Sequence, residues 1–565
     1  MRFLPIIIIS VFIFCAGLSA QNLEKIGKKD MVTIGGSMNL NSVCYDAFGM
    51  NPRRDPFTWY FSGSLNITVL DVSLPFTYSY SNQHSSYTQP FNMQSCSPKY
   101  KWAQVFLGTT SLSYSPYTLS GHIFTGAGIE LRPGGFCIAA MYGRFNKAVE
   151  DNPLSGDEIP AFRRTGYAFK AGFEKPGHTF TFSWFHAADD LHSLEFAPMI
   201  PGLHPMENTC TSFNGKATLW KHVAVQADVA ASGITRDLNA GSETTSYTGW
   251  QKWLLKTKTT SEFFRAWKFS VTYTAKNFSI AAIQEHVDPG YETFGAYYFT
   301  NDLQNWTLAP AARLMKGRLN IGANTGFQRN NLNGDRLSTT QRWVGSANIS
   351  FAPSKQWTLN AAYSNFTSYT RNRPQADPFW TPSPADTLSF YQVAQQGSGV
   401  ASYRFGERNV QNSIAVITSY QVTGQQQSGS VLPDVKIANA NLTYTVQWIQ
   451  TRLSFTVLGN FNQSSGAGIS TQQMGPGVQI GKTFLKNRLR FSGGGVYNRS
   501  VVNNVLANHI VSCRSQVSYS PKVHHEKAGH PSFSMNAVYV SKLPVLAGLA
   551  STGELTVTVN AAYGF

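Results

Sequence analysis

The chain has 565 residues, with 46 Lys and Arg against 30 Asp and Glu, a formal net charge of +16, and only 13% charged residues in all. That charged share is about half that of an ordinary soluble domain, while aromatic residues reach 13% and glycines number 47, which argues against a conventional solvated globule. The basic residues are dispersed rather than clustered, which excludes a nucleic-acid surface, and no apolar run of membrane-helix length follows the first twenty residues, which excludes a spanning helix.

From the N-terminus, Arg2, the apolar run Leu4 to Cys15 and the small residues Gly17, Ser19 and Ala20 follow the order of a signal peptide. Residues 1–20 are expected to be removed during Sec-dependent export, and 21–565 to form one domain. Export leaves Cys44, Cys96, Cys137, Cys210 and Cys513, an odd count with at least one free thiol. Cys44, Cys96 and Cys210 fall in or near expected outer loops, which leaves one disulfide among them open. The cysteine spacing fits no zinc site.

Strands are expected from about residue 31, too early for an N-terminal plug domain. After 72–80, residues 81–118 read as one long excursion before the strand 119–131. Within it Lys101 to Tyr114 reads partly as strand. The preferred expectation folds 81–118 into the interior; the alternative makes it two further wall strands. Downstream, Leu319, Ile321, Ala323, Thr325 and Phe327 alternate with Asn320, Gly322, Asn324, Gly326 and Gln328. Leu453, Phe455, Val457, Gly459 and Phe461 repeat this pattern, as do Leu489, Phe491, Gly493, Gly495 and Tyr497. Such alternation is a strand with one greasy and one wet face. Tight turns at Lys316-Gly317, Pro353-Ser354-Lys355, Gly406-Glu407, Gln450-Thr451 and Lys486-Asn487 alternate with long linkers at 236–258, 287–302, 370–388 and 424–436. Segment 249–255 has helical apolar spacing and is expected to be a short loop helix.

The last eleven residues, from Leu555 to Phe565, alternate without a break. A strand ending Tyr563-Gly564-Phe565 resembles the terminal strand of bacterial outer-membrane barrels, which the barrel-assembly machinery reads. Short turns on one side and long loops on the other are the asymmetry of that architecture. The expected fold is therefore all-β: a single large antiparallel transmembrane β-barrel of about 24 strands, or 26 if 81–118 joins the wall. Trp220, Trp357 and Trp448 each sit beside a short turn, where a periplasmic aromatic girdle belongs. Passages such as Leu74-Pro75-Phe76-Thr77-Tyr78, Ser115-Pro116-Tyr117 and Val287-Asp288-Pro289-Gly290-Tyr291 resemble a group of Bacteroidota outer-membrane barrels, from about residue 30 onward. The resemblance implies a fold and an integral outer-membrane location, and no activity.

By strand parity Arg318, Arg452, Arg488 and Arg490 face the interior near short turns, and such a ring of guanidinium groups would favour anions. His186, Asp189, Asp190 and His192 are the one dense group of metal-ligand types, with His524, His525 and His530 a second crowding. Lys252, Lys256 and Lys258 are candidates for lipid phosphates. No hydrolase or nucleotide-binding signature occurs, so no enzyme and no cofactor is expected. The function expected is a pore or transporter for polar solutes with anion preference. The alternative is a barrel subunit that scaffolds a surface lipoprotein or an uptake or secretion complex. Its other expected partners are outer-membrane lipids.

Overall fold

A computed structural model describes residues 32–82, 92–150, 160–195, 203–242, 249–335, 341–370, 390–427, 430–522, 529–546 and 548–565. Residues 1–20, where a signal peptide is expected, His524 and His525 and most of the linker 370–388 lie outside these residues. Strand after strand pairs antiparallel with its neighbour in sequence, and Val32–Phe48 pairs with Thr552–Gly564, so the sheet closes. The result is a closed antiparallel barrel of 26 strands.

Alternation explains why these segments are strands. In Phe136–Asn146, Phe136, Ile138 and Tyr142 are exposed on the outside while Cys137, Ala139, Met141 and Phe145 are buried inside. The three alternating segments expected at 319–327, 453–461 and 489–497 are strands with Phe327, Val457, Phe491 and Tyr497 on the outer face. An exterior studded with exposed Phe, Tyr, Trp and Ile, on a wall whose strands pair with both neighbours around the closed sheet, suits hydrocarbon and not water.

The strand count is the higher of the two expected. Met93–Cys96 and Lys99–Tyr100 both pair with Val72–Ser81 on one side and with Ala103–Ser113 on the other. They are two pieces of one strand broken at Ser97-Pro98, and Ala103–Ser113 then pairs with Ser120–Leu131. The described residues of 81–118 are therefore mainly wall, and among them the turn 114–118 goes inward.

The tight turns lie where expected, all at the end of the barrel that carries Phe565. At the opposite end, the described residues of 236–258 include the short helix Trp250–Leu254. The expected loop at 424–436 is instead strand on both sides, in Val410–Gln427 and Ser430–Trp448. The five cysteines are free. Cys44, Cys96 and Cys210 lie within strands rather than loops, so the disulfide left open among them does not form.

Candidate functional site

The wall divides into two halves of 13 strands each, before and after residue 303, with different interiors. Residues 1–302 carry 24 basic and 23 acidic side chains; residues 303–565 carry 22 basic and only 7 acidic ones. Nearly all of the net charge belongs to the second half.

The interior of the first half is packed between about Leu112 and Leu303, while Ser37, Asn39, Ser62, Ser64 and Thr77 of the earlier strands line an open recess of 590 Å³. Inward-facing Phe124, Met141, Phe145, Phe185, Cys210 and Ile234 form a buried cluster with Leu112, Leu119 and Phe294. The turn 114–119 and the loop 288–302 fold onto this surface and onto each other. Tyr291 Oη donates to the Tyr117 carbonyl at 2.7 Å, Thr293 Oγ1 to the Thr118 carbonyl at 2.7 Å, and the Ser120 amide to the Gly295 carbonyl at 2.8 Å. His122 stacks on Tyr297 with centroids 4.0 Å apart.

The wall holds this plug through a few polar groups. Asn208 is fully buried; its Nδ2 donates to the Glu292 carbonyl and its Oδ1 accepts from the Phe294 amide at 3.1 Å. Ser232 Oγ donates to the same Glu292 carbonyl at 2.6 Å. Tyr117 Oη donates to Glu285 at 2.9 Å, and Glu285 in turn faces Lys268 at 3.5 Å. Burial first, and the Glu285 carboxylate second, pushes the Tyr117 hydroxyl well above the ordinary tyrosine range, so it remains a donor. The ring of Phe294 lies 3.5 Å from the Arg164 guanidinium, which is paired in bidentate fashion with buried Asp189.

Gly295 is where this docking is tightest. A Cβ there would lie 2.4 Å from the Thr118 carbonyl oxygen and 2.8 Å from the Leu119 Cα, both backbone atoms that cannot yield. Gly295→Ala is expected to lift 288–302 off the wall without disturbing the strand ladder. Limited proteolysis should then cut in 288–302 at least about tenfold faster, a change of about 1.4 kcal/mol in local opening, while heat-modifiable migration of the barrel stays unchanged. Unaltered protease resistance would show that the contact is not holding the plug.

Among the described residues, no loop packs onto the inner face of the second half. Its inner face carries Asn, Gln, Ser, Thr and Gly, together with a set of arginines. By the alternation that puts Trp306, Leu308, Tyr403, Phe491 and Val517 outside, Arg313, Arg404, Arg490 and Arg514 face inward, while Arg318 closes the short turn before Leu319. Arg452 and Arg488 stand at adjoining short turns. None of these seven takes part in an ion pair among the described residues, in contrast to the first half. There Arg132 pairs with Glu130 and Glu174, and Lys170 with Glu174. Arg452 and Arg490 share one recess of 580 Å³ with Gln447, Thr483, Gln516 and Ser518. Arg318 lies apart from it and donates to the Pro353 carbonyl at 3.3 Å.

The strand register adds Arg313, Arg404 and Arg514 to the four arginines expected. The same parity argument would have found them, and the imbalance of charge between halves was a signal in plain counting.

The metal-ligand types do not converge. His186 points outward, bonded to Thr209 Oγ1 at 2.9 Å and ringed by Tyr167 and Trp184. Asp189 is held by Arg164. Asp190 pairs with Arg163 and accepts the His192 amide at 3.0 Å, and that amide and the guanidinium hold its carboxyl below the usual range. Among the described residues no three His, Cys, Asp or Glu side chains could hold an ion. Lys258 Nζ donates to the Leu238 carbonyl within its own loop. Trp220, Trp357 and Trp448 all lie at the short-turn end; Trp220 and Trp357 are exposed, and Trp357 packs on Tyr403 at 4.6 Å. At the seam, the Phe565 and Gly36 backbones exchange two hydrogen bonds, and Tyr563 packs on Phe565 at 5.8 Å.

No family model matches the sequence, and no curated protein matches it. Solved structures do. The P pilus usher PapC translocation pore aligns at 10% identity and a TM-score of 0.36, over 94% of this chain and 98% of that one. OccK9 (OpdG) of Pseudomonas aeruginosa aligns at 8% and 0.29, over 94% and 98%. The outer membrane protein OprD of Pseudomonas aeruginosa aligns at 11% and 0.32, over 69% and 94%. The likeness is one of overall shape, without residue-level correspondence.

Proposed function

We propose that the protein is a non-enzymatic outer-membrane pore that passes polar solutes, with a preference for anions, along the second half of its inner wall. The observation that carries this reading is the set of seven arginines, four facing inward and three at adjoining short turns, with no ion-pair partner among the described residues, set opposite a charge-balanced and partly plugged half. A barrel of this strand number is too wide to be filled by its own wall side chains, and the plug described covers only part of the first half. The short-turn end, with its tryptophans, is the periplasmic end in this reading, and Tyr563 and Phe565 carry the assembly signal. In the water beside the arginine wall the potential is positive, which raises anion occupancy and lowers cation occupancy along the path.

Reconstitution in a planar bilayer under a salt gradient tests this. The reversal potential is expected on the anion side, by about tenfold in permeability ratio. Absence of conductance, or cation selectivity, would overturn the reading.

A second reading, the scaffold for a surface lipoprotein or an uptake or secretion complex, is favoured by one feature. Phe390–Gly406, Val410–Gln427 and Ser430–Trp448 are 17, 18 and 19 residues long, against about ten needed to cross a bilayer. They raise a ridge of sheet beyond the membrane. Co-purification of a stable partner in mild detergent, lost when that ridge is shortened, would support it.

A further inference from the structure

The recess shared by Arg452 and Arg490 is built on rigid elements. Arg490 lies in the strand Leu489–Val502, with Thr483 and Ser518 as its two cross-strand partners, and both line the recess. Arg452 is held in its turn at a positive φ of 55°, with its carbonyl accepting the Thr483 amide at 3.2 Å. Gln447 and Gln516 add amide groups, and no carboxylate lines the recess. Two guanidinium groups facing one water-filled space repel each other unless an anion lies between them. Their planar forks, with hydroxyl and amide donors around them, match the several acceptor oxygens of a tetrahedral oxyanion better than a halide. A volume of 580 Å³ exceeds what one inorganic ion needs and falls within the range for small organic ligands.

We propose that this recess is a binding site for a multivalent oxyanion, a phosphate- or sulfate-bearing small solute, at the short-turn mouth of the lumen. Its place as a stop on the permeation path rests on the pore reading; the binding itself does not. The site would take up the solute's anionic group and leave its neutral part in the wider lumen.

Calorimetric titration of the refolded full-length protein in detergent with pyrophosphate at low ionic strength tests the proposal. One equivalent is expected to bind. Arg452→Gln together with Arg490→Gln is expected to weaken binding by about tenfold or more. Arg313→Gln together with Arg404→Gln, which removes the same charge from the same wall, should change it by less than about threefold. Heat-modifiable migration confirms that each variant is folded. No binding by the unaltered protein, or equal losses in the two double variants, would overturn the site. Anion conductance without pyrophosphate binding would leave the pore and remove the site. Binding by a barrel that does not conduct would do the reverse.

Discussion

Replacing Arg313, Arg318, Arg404, Arg490 and Arg514 together by serine is expected to abolish anion selectivity while leaving conductance of the same order. Replacing them by glutamate is expected to make the pore cation-selective. Five unit charges seen from about 10 Å across water sum to about 2 kcal/mol. Screening at about 0.1 M salt reduces that to about 0.75 kcal/mol, because the Debye length there is of the same size as the path. The remainder enriches a monovalent anion about 3.5-fold and depletes a cation about 3.5-fold, which gives a permeability ratio of about twelve. The effect is therefore strongest in dilute salt and fades toward 1 M, where the screening length is about 3 Å. Reversal potentials at several ionic strengths check both the sign and this dependence. A ratio that did not move in the serine variant would place the selecting charges elsewhere, and the first-half pairs around Glu130, Glu174 and Glu285 would be the next to examine.

The wall was legible because a barrel imposes a two-residue period: lipid outside and water inside sort side chains strictly, as in the run from Leu555 to Phe565. That two strand counts, 24 and 26, stay open in the sequence has a local cause. Pro98 has no amide hydrogen and breaks one strand into Met93–Cys96 and Lys99–Tyr100, so neither piece is long enough to show the period. The plug was hidden for a different reason. Pro289-Gly290-Tyr291 and Thr293-Phe294-Gly295 have the composition of any surface loop, and nothing local says which way a loop turns. The signal lay in the wall beneath it. Between 120 and 235 the inward positions hold Phe124, Met141, Phe145, Phe185 and Ile234, where a water-filled lumen would be lined with Ser, Thr and Asn. Apolar residues on both faces mean that something covers the inner one, because the hydrophobic effect operates inside the barrel, where the alternative is water, and not on its lipid face.

Excising 289–301 is expected to clear the plugged part of the lumen and to raise conductance by up to about twofold, since the two halves match in strand number. The geometry favours a clean deletion. The Asp302 amide already donates to the Asp288 carbonyl at 3.3 Å, so the two ends of the loop are adjacent and a two- or three-residue Gly-Ser bridge closes them with little entropic cost. The flanking strands Phe278–Val287 and Leu303–Leu314 pair along their full lengths without help from the loop. What is lost is the burial of Tyr291 and Phe294, each worth about 1.5–3 kcal/mol, and the bonds to Asn208 and Ser232, which water can replace once the face is wet. The barrel should therefore assemble with a lower melting temperature and still migrate as a folded species. Excising 81–118 is a very different operation, because it removes Ala103–Ser113 and the broken strand beside it from the wall. That deletion is expected to prevent closure altogether, seen as loss of the heat-modifiable form. An unchanged conductance after removal of 289–301 would mean that the narrowest point of the path lies along the arginine wall itself, and the two deletions together separate a plug from a piece of the wall.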